Sequence, residues 1–163
     1  MNGTEELSRR LADHLTSKGL RAVTAWTGRQ RAGDGETVAA VSLRARESGP
    51  PGFQNYLGER FDQESGTWEE LYGKQEELTF GLDLYGDTAE KVQAALDTLA
   101  DILDQGGPEG LRPAEFSAGE TVYRAEERRY VCPVQARFRV WSYAVAREDG
   151  TFLDFDVRGA NQK

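Results

Sequence analysis

Residues 77–85 constrain the fold more than any other stretch of the chain. Leu78, Phe80, Leu82 and Leu84 alternate with Thr79, Gly81, Asp83 and Tyr85, and a period of two puts the first set on one face of a β-strand and the second on the other. The period then changes. Asp87 reads as the N-cap of a helix, and Glu90, three positions on, completes a capping box. The stripe Val92, Leu96, Leu99, Ile102 and Leu103 follows at helical spacing, with Ala89, Ala95 and Ala100 allowing close approach. Gly106, Gly107 and Pro108 stop it. A strand and a helix that are each apolar on one side bury both sides by packing the helix across a sheet.

Residues 2–18 carry a second helical stripe, Leu7, Leu11 and Leu15 with Ala12 beside it. Asn2 or Thr4 is placed to cap it, Glu5 and Glu6 sit at the positive end of its dipole, and Gly19 follows Lys18 as a C′ glycine. His14 borders the polar face and is expected to be solvated. Residues 20–27, with Val23 and Trp26, and residues 37–46 read as strands. Their link, residues 28–36, holds three glycines and reads as a hairpin loop. Its Gly33-Asp34-Gly35 lacks the remaining residues of a phosphate-binding loop and opens no helix.

The last third is β in character. Residues 111–118 and 120–124 are short strand candidates, residues 125–129 a polar turn, residues 130–145 a long strand and residues 151–157 a short one. In the long strand Tyr130, Cys132, Val134, Ala136, Phe138, Val140 and Ala144 share one face, and Gln135, Arg137, Arg139, Trp141 and Tyr143 the other. The expected architecture is a single α+β domain over residues 1–163, an antiparallel sheet with two main helices packed on one face.

Residues 47–75 do not fit either period. After the breaker cluster Ser48-Gly49-Pro50-Pro51-Gly52 come Phe53, Tyr56, Phe61, Trp68 and Tyr72, and the segment reads as a long, irregular, aromatic-rich loop or arm inserted in the domain. Long loops in compact domains are usually functional or disordered, and aromatic residues are enriched in interface cores. Two readings stand open: the rings cover the edge of the core, or they pack on a neighbouring subunit. On the second reading Phe53, Tyr56, Phe61, Trp68 and Tyr72, with Arg137, Arg139 and Trp141 of the long strand, are the candidate interface residues. An Arg pair among aromatics also has the chemistry to stack single-stranded nucleic acid. However, 28 acidic residues against 20 basic ones, a formal net charge of −8, oppose a chain built to grip phosphates.

Composition removes most chemistry. One His and one Cys supply neither a His- or Cys-rich metal cage nor a redox pair or disulfide framework. Asp154 and Asp156 share a strand face and suit a divalent cation, but the further acid and Lys of a metal nuclease are missing from their neighbourhood. With no dinucleotide fingerprint and no nucleophile elbow, the reading assigns no catalytic, cofactor-binding or metal-binding residue and no enzymatic activity. The absence of a long apolar run or a signal-like start, and the free Cys132, point to synthesis in a reducing cytoplasm and to no membrane partner.

The order helix, two strands, aromatic segment, strand, helix and paired strands carries four phrases: Tyr56-Leu57-Gly58-Glu59, Leu71-Tyr72-Gly73-Lys74, Glu77-Leu78-Thr79-Phe80-Gly81-Leu82-Asp83-Leu84-Tyr85 and Phe152-Leu153-Asp154-Phe155-Asp156-Val157-Arg158-Gly159. Together they resemble the tail terminator (tail completion) proteins of tailed phages and prophage-like elements, over most of residues 4–159. The resemblance implies a small α+β subunit that assembles with itself into a ring, typically a hexamer. That ring caps the tail tube protein, stops tube growth and docks to the head-tail connector protein. It also implies assembly in the cytoplasm of a bacterial host, then residence in a virion or in a DNA-free tail-like particle. Sequence-specific nucleic-acid binding is not part of it, and negative charge suits a channel through which DNA slides. Two alternatives are another small connector or tube subunit, and a monomeric ligand-binding α+β domain enclosing an apolar pocket.

Overall fold

A computed structural model describes residues 3–24, 36–49, 55–147 and 152–154. Its spine is β4 (Thr67–Gly86), a strand of 20 residues and therefore about 65 Å long. Along one edge β4 pairs antiparallel with β2 (Val38–Ser48) at residues 76–85 and with β3 (Asn55–Asp62) at residues 67–73. Along the other it pairs antiparallel with β8 (Val134–Arg147) at residues 69–81 and with β7 (Arg129–Cys132) at residues 84–86. Beyond these lie β5 (Arg112–Ala118) and β9 (Phe152–Asp154) against β8, β6 (Val122–Arg124) against β7, and β1 (Ala22–Val23) against β2. The described residues thus form one nine-stranded, mostly antiparallel sheet, and the fold is α+β.

Helices α1 (Thr4–Ser17) and α2 (Ala89–Gln105) cover one face of the inner half of this sheet. Leu78, Phe80, Leu82 and Leu84 of β4, Ala39 and Val41 of β2, and Val134, Ala136 and Phe138 of β8 meet Leu7, Leu11 and Leu15 of α1 and Val92, Leu99 and Ile102 of α2 in one buried cluster. Phe80 and Phe138 pack edge to face at its centre, 5.6 Å between ring centroids. Residues 134–140 alternate strictly between buried and exposed, as their sequence requires.

The helix ends follow local chemistry, with two changes from expectation. Gly19 (φ +101°) sits in the left-handed region after Lys18, with the N–H groups of Gly19 and Leu20 donating to the carbonyls of Thr16 and Leu15, a Schellman closure sealed by buried Leu15 and Leu20. At the other end of α1 the cap is Gly3, with no side-chain cap bond; Thr4 already lies inside the helix, and Asn2 is outside the described residues. In α2 the cap is Thr88 rather than Asp87, its hydroxyl accepting from the Lys91 N–H at 3.2 Å. Asp87, one residue too early to reach that N–H, instead accepts from Arg129 at 3.3 Å. With Thr88 as cap, Glu90 falls one position short of the capping-box site.

Three further expectations are corrected. β1 runs parallel to β2, so residues 20–27 and 37–46 are not the arms of a hairpin; the chain leaves α1 already heading along β2, and its connection is long enough to return for a parallel pairing. Most of that connection, including residues 28–35, lies outside the described residues. The long C-terminal strand is two strands, because Pro133 has no N–H for the ladder and separates β7 from β8. Residues 55–62 and 67–75 are not irregular: they are β3 and the outer half of β4, joined by a turn at residues 63–66. Asp62 builds that turn, accepting from the Glu64 N–H at 3.1 Å and the Ser65 hydroxyl at 2.8 Å. These bonds hold its carboxyl below the usual carboxylate range.

Candidate assembly surface

Beyond residue 76 toward its N-terminus, β4 leaves the helices behind and continues, between β3 and the far half of β8, as a β-arm. β4 keeps an unbroken register with β8 from Glu69 to Gly81, so its even-numbered side chains stay on one face. Trp68, Glu70 and Tyr72 therefore continue the face that bears Leu78 and Phe80 in the body, but no helix covers them. The core-cover reading fails here, since no residue of 55–75 belongs to the buried cluster.

Cross-strand pairing assembles the arm's face. Tyr56 lies opposite Tyr72, Glu59 opposite Glu70 and Phe61 opposite Trp68. The two aromatic pairs are edge to face, at 5.7 Å for Tyr56–Tyr72 and 5.5 Å for Phe61–Trp68, and Tyr56, Phe61 and Trp68 are 55%, 50% and 48% exposed. The Tyr72 hydroxyl donates to Glu70 at 2.8 Å, and this bond, with desolvation and the carboxylate's charge, raises the phenol's pKa. Tyr56 is raised by desolvation first and then by the charges of Glu59 and Glu70.

The opposite face is polar and shaped by two bulges. Arg44 is the extra residue between Leu43 and Ala45 of β2; its side chain lies across Gly81, where any Cβ would collide with it, and donates to Asp83 at 2.8 Å. Leu57 is the extra residue in β3, followed by Gly58 at φ +137°, and its side chain lies across Gly73 in the same way. Gly73 and Gly81 of β4 are thus seats for the side chain of a bulged residue on the neighbouring strand. The first bulge also returns Arg46 to the other face, where it meets Glu76 at 2.9 Å. Arg60 and Glu69, opposite one another, pair at 2.9 Å with Glu69 buried.

The candidate residues therefore divide. Tyr56, Phe61, Trp68 and Tyr72 come together on the arm. Arg137 and Arg139 project from the opposite, helix-free face of the body and are engaged with Glu115 at 3.4 Å and Glu77 at 3.9 Å. The Trp141 backbone is in register with Gln75, and Phe53 lies outside the described residues. Two apolar sites escaped the sequence reading. Leu57 is 57% exposed, and at the far end of the sheet Val122 and Tyr123 of β6 are 43% and 55% exposed, with Tyr123 against Tyr130 at 5.2 Å. The bulge at Leu57 shifts the period of β3, and β6, with three residues, is too short to show a face by periodicity.

His14 is half-buried rather than solvated, because the C-terminal end of α2 packs beside it. Partial burial lowers its pKa, partly opposed by a hydrogen bond with the Gly106 backbone and reinforced by Lys18. Its Nε2 is enclosed without a partner. Asp154 lies in β9, Asp156 outside the described residues; among the described residues no three His, Cys, Asp or Glu side chains gather as metal ligands. None of the described helices is long and apolar enough to cross a membrane.

The class defined by these features is a two-layer α+β fold with a projecting aromatic β-arm. No protein-family model and no curated protein matches the chain.

Proposed function

We propose that this chain is a structural subunit of a phage or phage-like tail, a tail terminator that forms a ring, caps the tail tube and joins it to the head-tail connector. The observation that carries the reading is the arm, a sheet extension that leaves Tyr56, Phe61 and Trp68 about half exposed where a helix layer would otherwise bury them. Exposed aromatic surface of this kind marks protein contact, and head-to-tail contacts close into rings when their rotation permits. Three of the four phrases that resemble tail terminators fall on β3 and β4, and two of those lie in the arm itself; the fourth begins in β9. Assembly would take place in the cytoplasm of a bacterial host, and the acidic total suits a channel that DNA traverses without adhering.

The test is direct imaging. Purified protein, alone and with the tail tube protein of the same particle, is examined by negative-stain microscopy and by mass in solution. Rings at the end of tubes are the expected result. A stable monomer at every concentration, with tube protein present, would sink the reading.

A further inference from the structure

Resting on the ring reading, we propose that the arm's partner is a second copy of this chain, and that Arg128 of that copy enters between Glu59 and Glu70 on the aromatic face. Glu59 and Glu70 stand directly opposite one another on β3 and β4, an arrangement of like charges that destabilises a sheet unless something positive answers it. Neither takes part in an ion pair among the described residues; the arm's described pair is Arg60 with Glu69 on the other face. Tyr72 gives its hydroxyl bond to Glu70, and the two carboxylates stand between two edge-to-face aromatic pairs. Carboxylates framed by aromatic rings suit a guanidinium, whose planar fork accepts two acids and whose face stacks on rings.

The β6–β7 turn supplies that group. Arg128 is exposed and has φ +52°, the one described non-glycine residue in the left-handed region, at a turn position where Gly or Asn is the unstrained choice. Its neighbours Arg124 and Arg129 are engaged with Glu127 and Asp87; no ion pair of Arg128 occurs among the described residues. Val122 and Tyr123 lie beside it, exposed, an apolar surface to meet the arm's rings. The charges also match, since residues 55–75 hold five carboxylates against two cations, and residues 122–130 three cations against two carboxylates. The turn and the arm lie at opposite ends of β4, about 50 Å apart along the strand, so one chain cannot satisfy itself and the contact runs from copy to copy.

Two variants test this, Arg128→Glu and the pair Glu59→Arg with Glu70→Arg, each followed by sedimentation against wild type. Each variant alone should assemble about 30-fold more weakly or worse, the loss of an interface anchor. Mixed one to one they should reassemble, because each kind of copy then offers the complement of the other. Arg128→Gly should weaken assembly without lowering the monomer's melting temperature, since glycine accepts φ +52° freely. Wild-type rings unaffected by these changes would overturn the contact and leave the ring reading intact. A wild-type dimer dispersed by the single variants and restored on mixing would keep the contact and overturn the ring. A wild-type chain that stays an 18.1 kDa monomer overturns both.

Discussion

Truncating one aromatic in the arm and one in the body should have very different costs. Phe138 is fully buried and edge to face with Phe80, so Phe138→Ala removes a whole core side chain and leaves a cavity, at about 3–5 kcal/mol. Trp68 is 48% exposed, and a fully buried aromatic removes roughly 150–250 Å² from water, so its truncation re-exposes about 100 Å². At about 25 cal/mol per Å² that is about 2.5 kcal/mol, and a compact denatured chain lowers it to about 1.5–2 kcal/mol. Part of this comes from the Phe61 ring alone. In a double-mutant cycle Phe61→Ala with Trp68→Ala should fall short of additivity by about 1 kcal/mol. Urea unfolding followed by far-ultraviolet circular dichroism, at concentrations low enough to keep the chain monomeric, reads all four values. A cost for Trp68→Ala equal to that of Phe138→Ala would mean that the arm is part of the core. Strict additivity of Phe61 and Trp68 would mean that the cross-strand pair is not formed in solution.

Two further outcomes concern the helices. Thr88→Ala should cost about 1 kcal/mol through loss of the α2 cap, whereas Asp87→Ala should leave the cap intact and act only through Arg129; thermal melts of the two variants separate these effects. The lowered pKa of His14 means that the unfolded chain binds its proton more readily than the folded one, so this residue's contribution is complete above the ordinary value of 6.5 and is lost as the pH falls through the folded value. His14→Gln should flatten stability against pH in that window, and an unchanged slope in urea midpoints would contradict the burial described for it.

Sequence pattern reveals an element when a strand or helix has one wet and one dry side. Leu78 to Leu84, the α1 and α2 stripes and residues 134–140 all meet that condition, and each sits where its period places it. The arm does not meet it. In Trp68-Glu69-Glu70-Leu71-Tyr72 one side mixes rings with the charge of Glu70 and the other sets Glu69 beside Leu71, because neither side faces a helix, and the bulge at Leu57 shifts the period of β3 in mid-strand. What holds the arm is pairing between residues distant in sequence, such as Tyr56 with Tyr72, which no scan along one strand detects. The same limit hid the β1–β2 pairing, a matter of chain direction rather than composition, and the choice of Thr88 over Asp87, a matter of one residue's reach. The aromatic residues of the candidate surface were legible as a group; their separation from Arg137 and Arg139 was not, since it depends on which face each strand turns outward.

The unbroken register of β4 also has a mechanical meaning. Both bulges lie on its flanking strands, so the strand that reaches the tip of the arm is the same one that Phe80 and Leu82 anchor under the helices. A pull directed along it loads its lateral hydrogen bonds together, in shear, instead of peeling them one after another. Tension applied at the arm's tip therefore reaches the half of the strand that the helices bury.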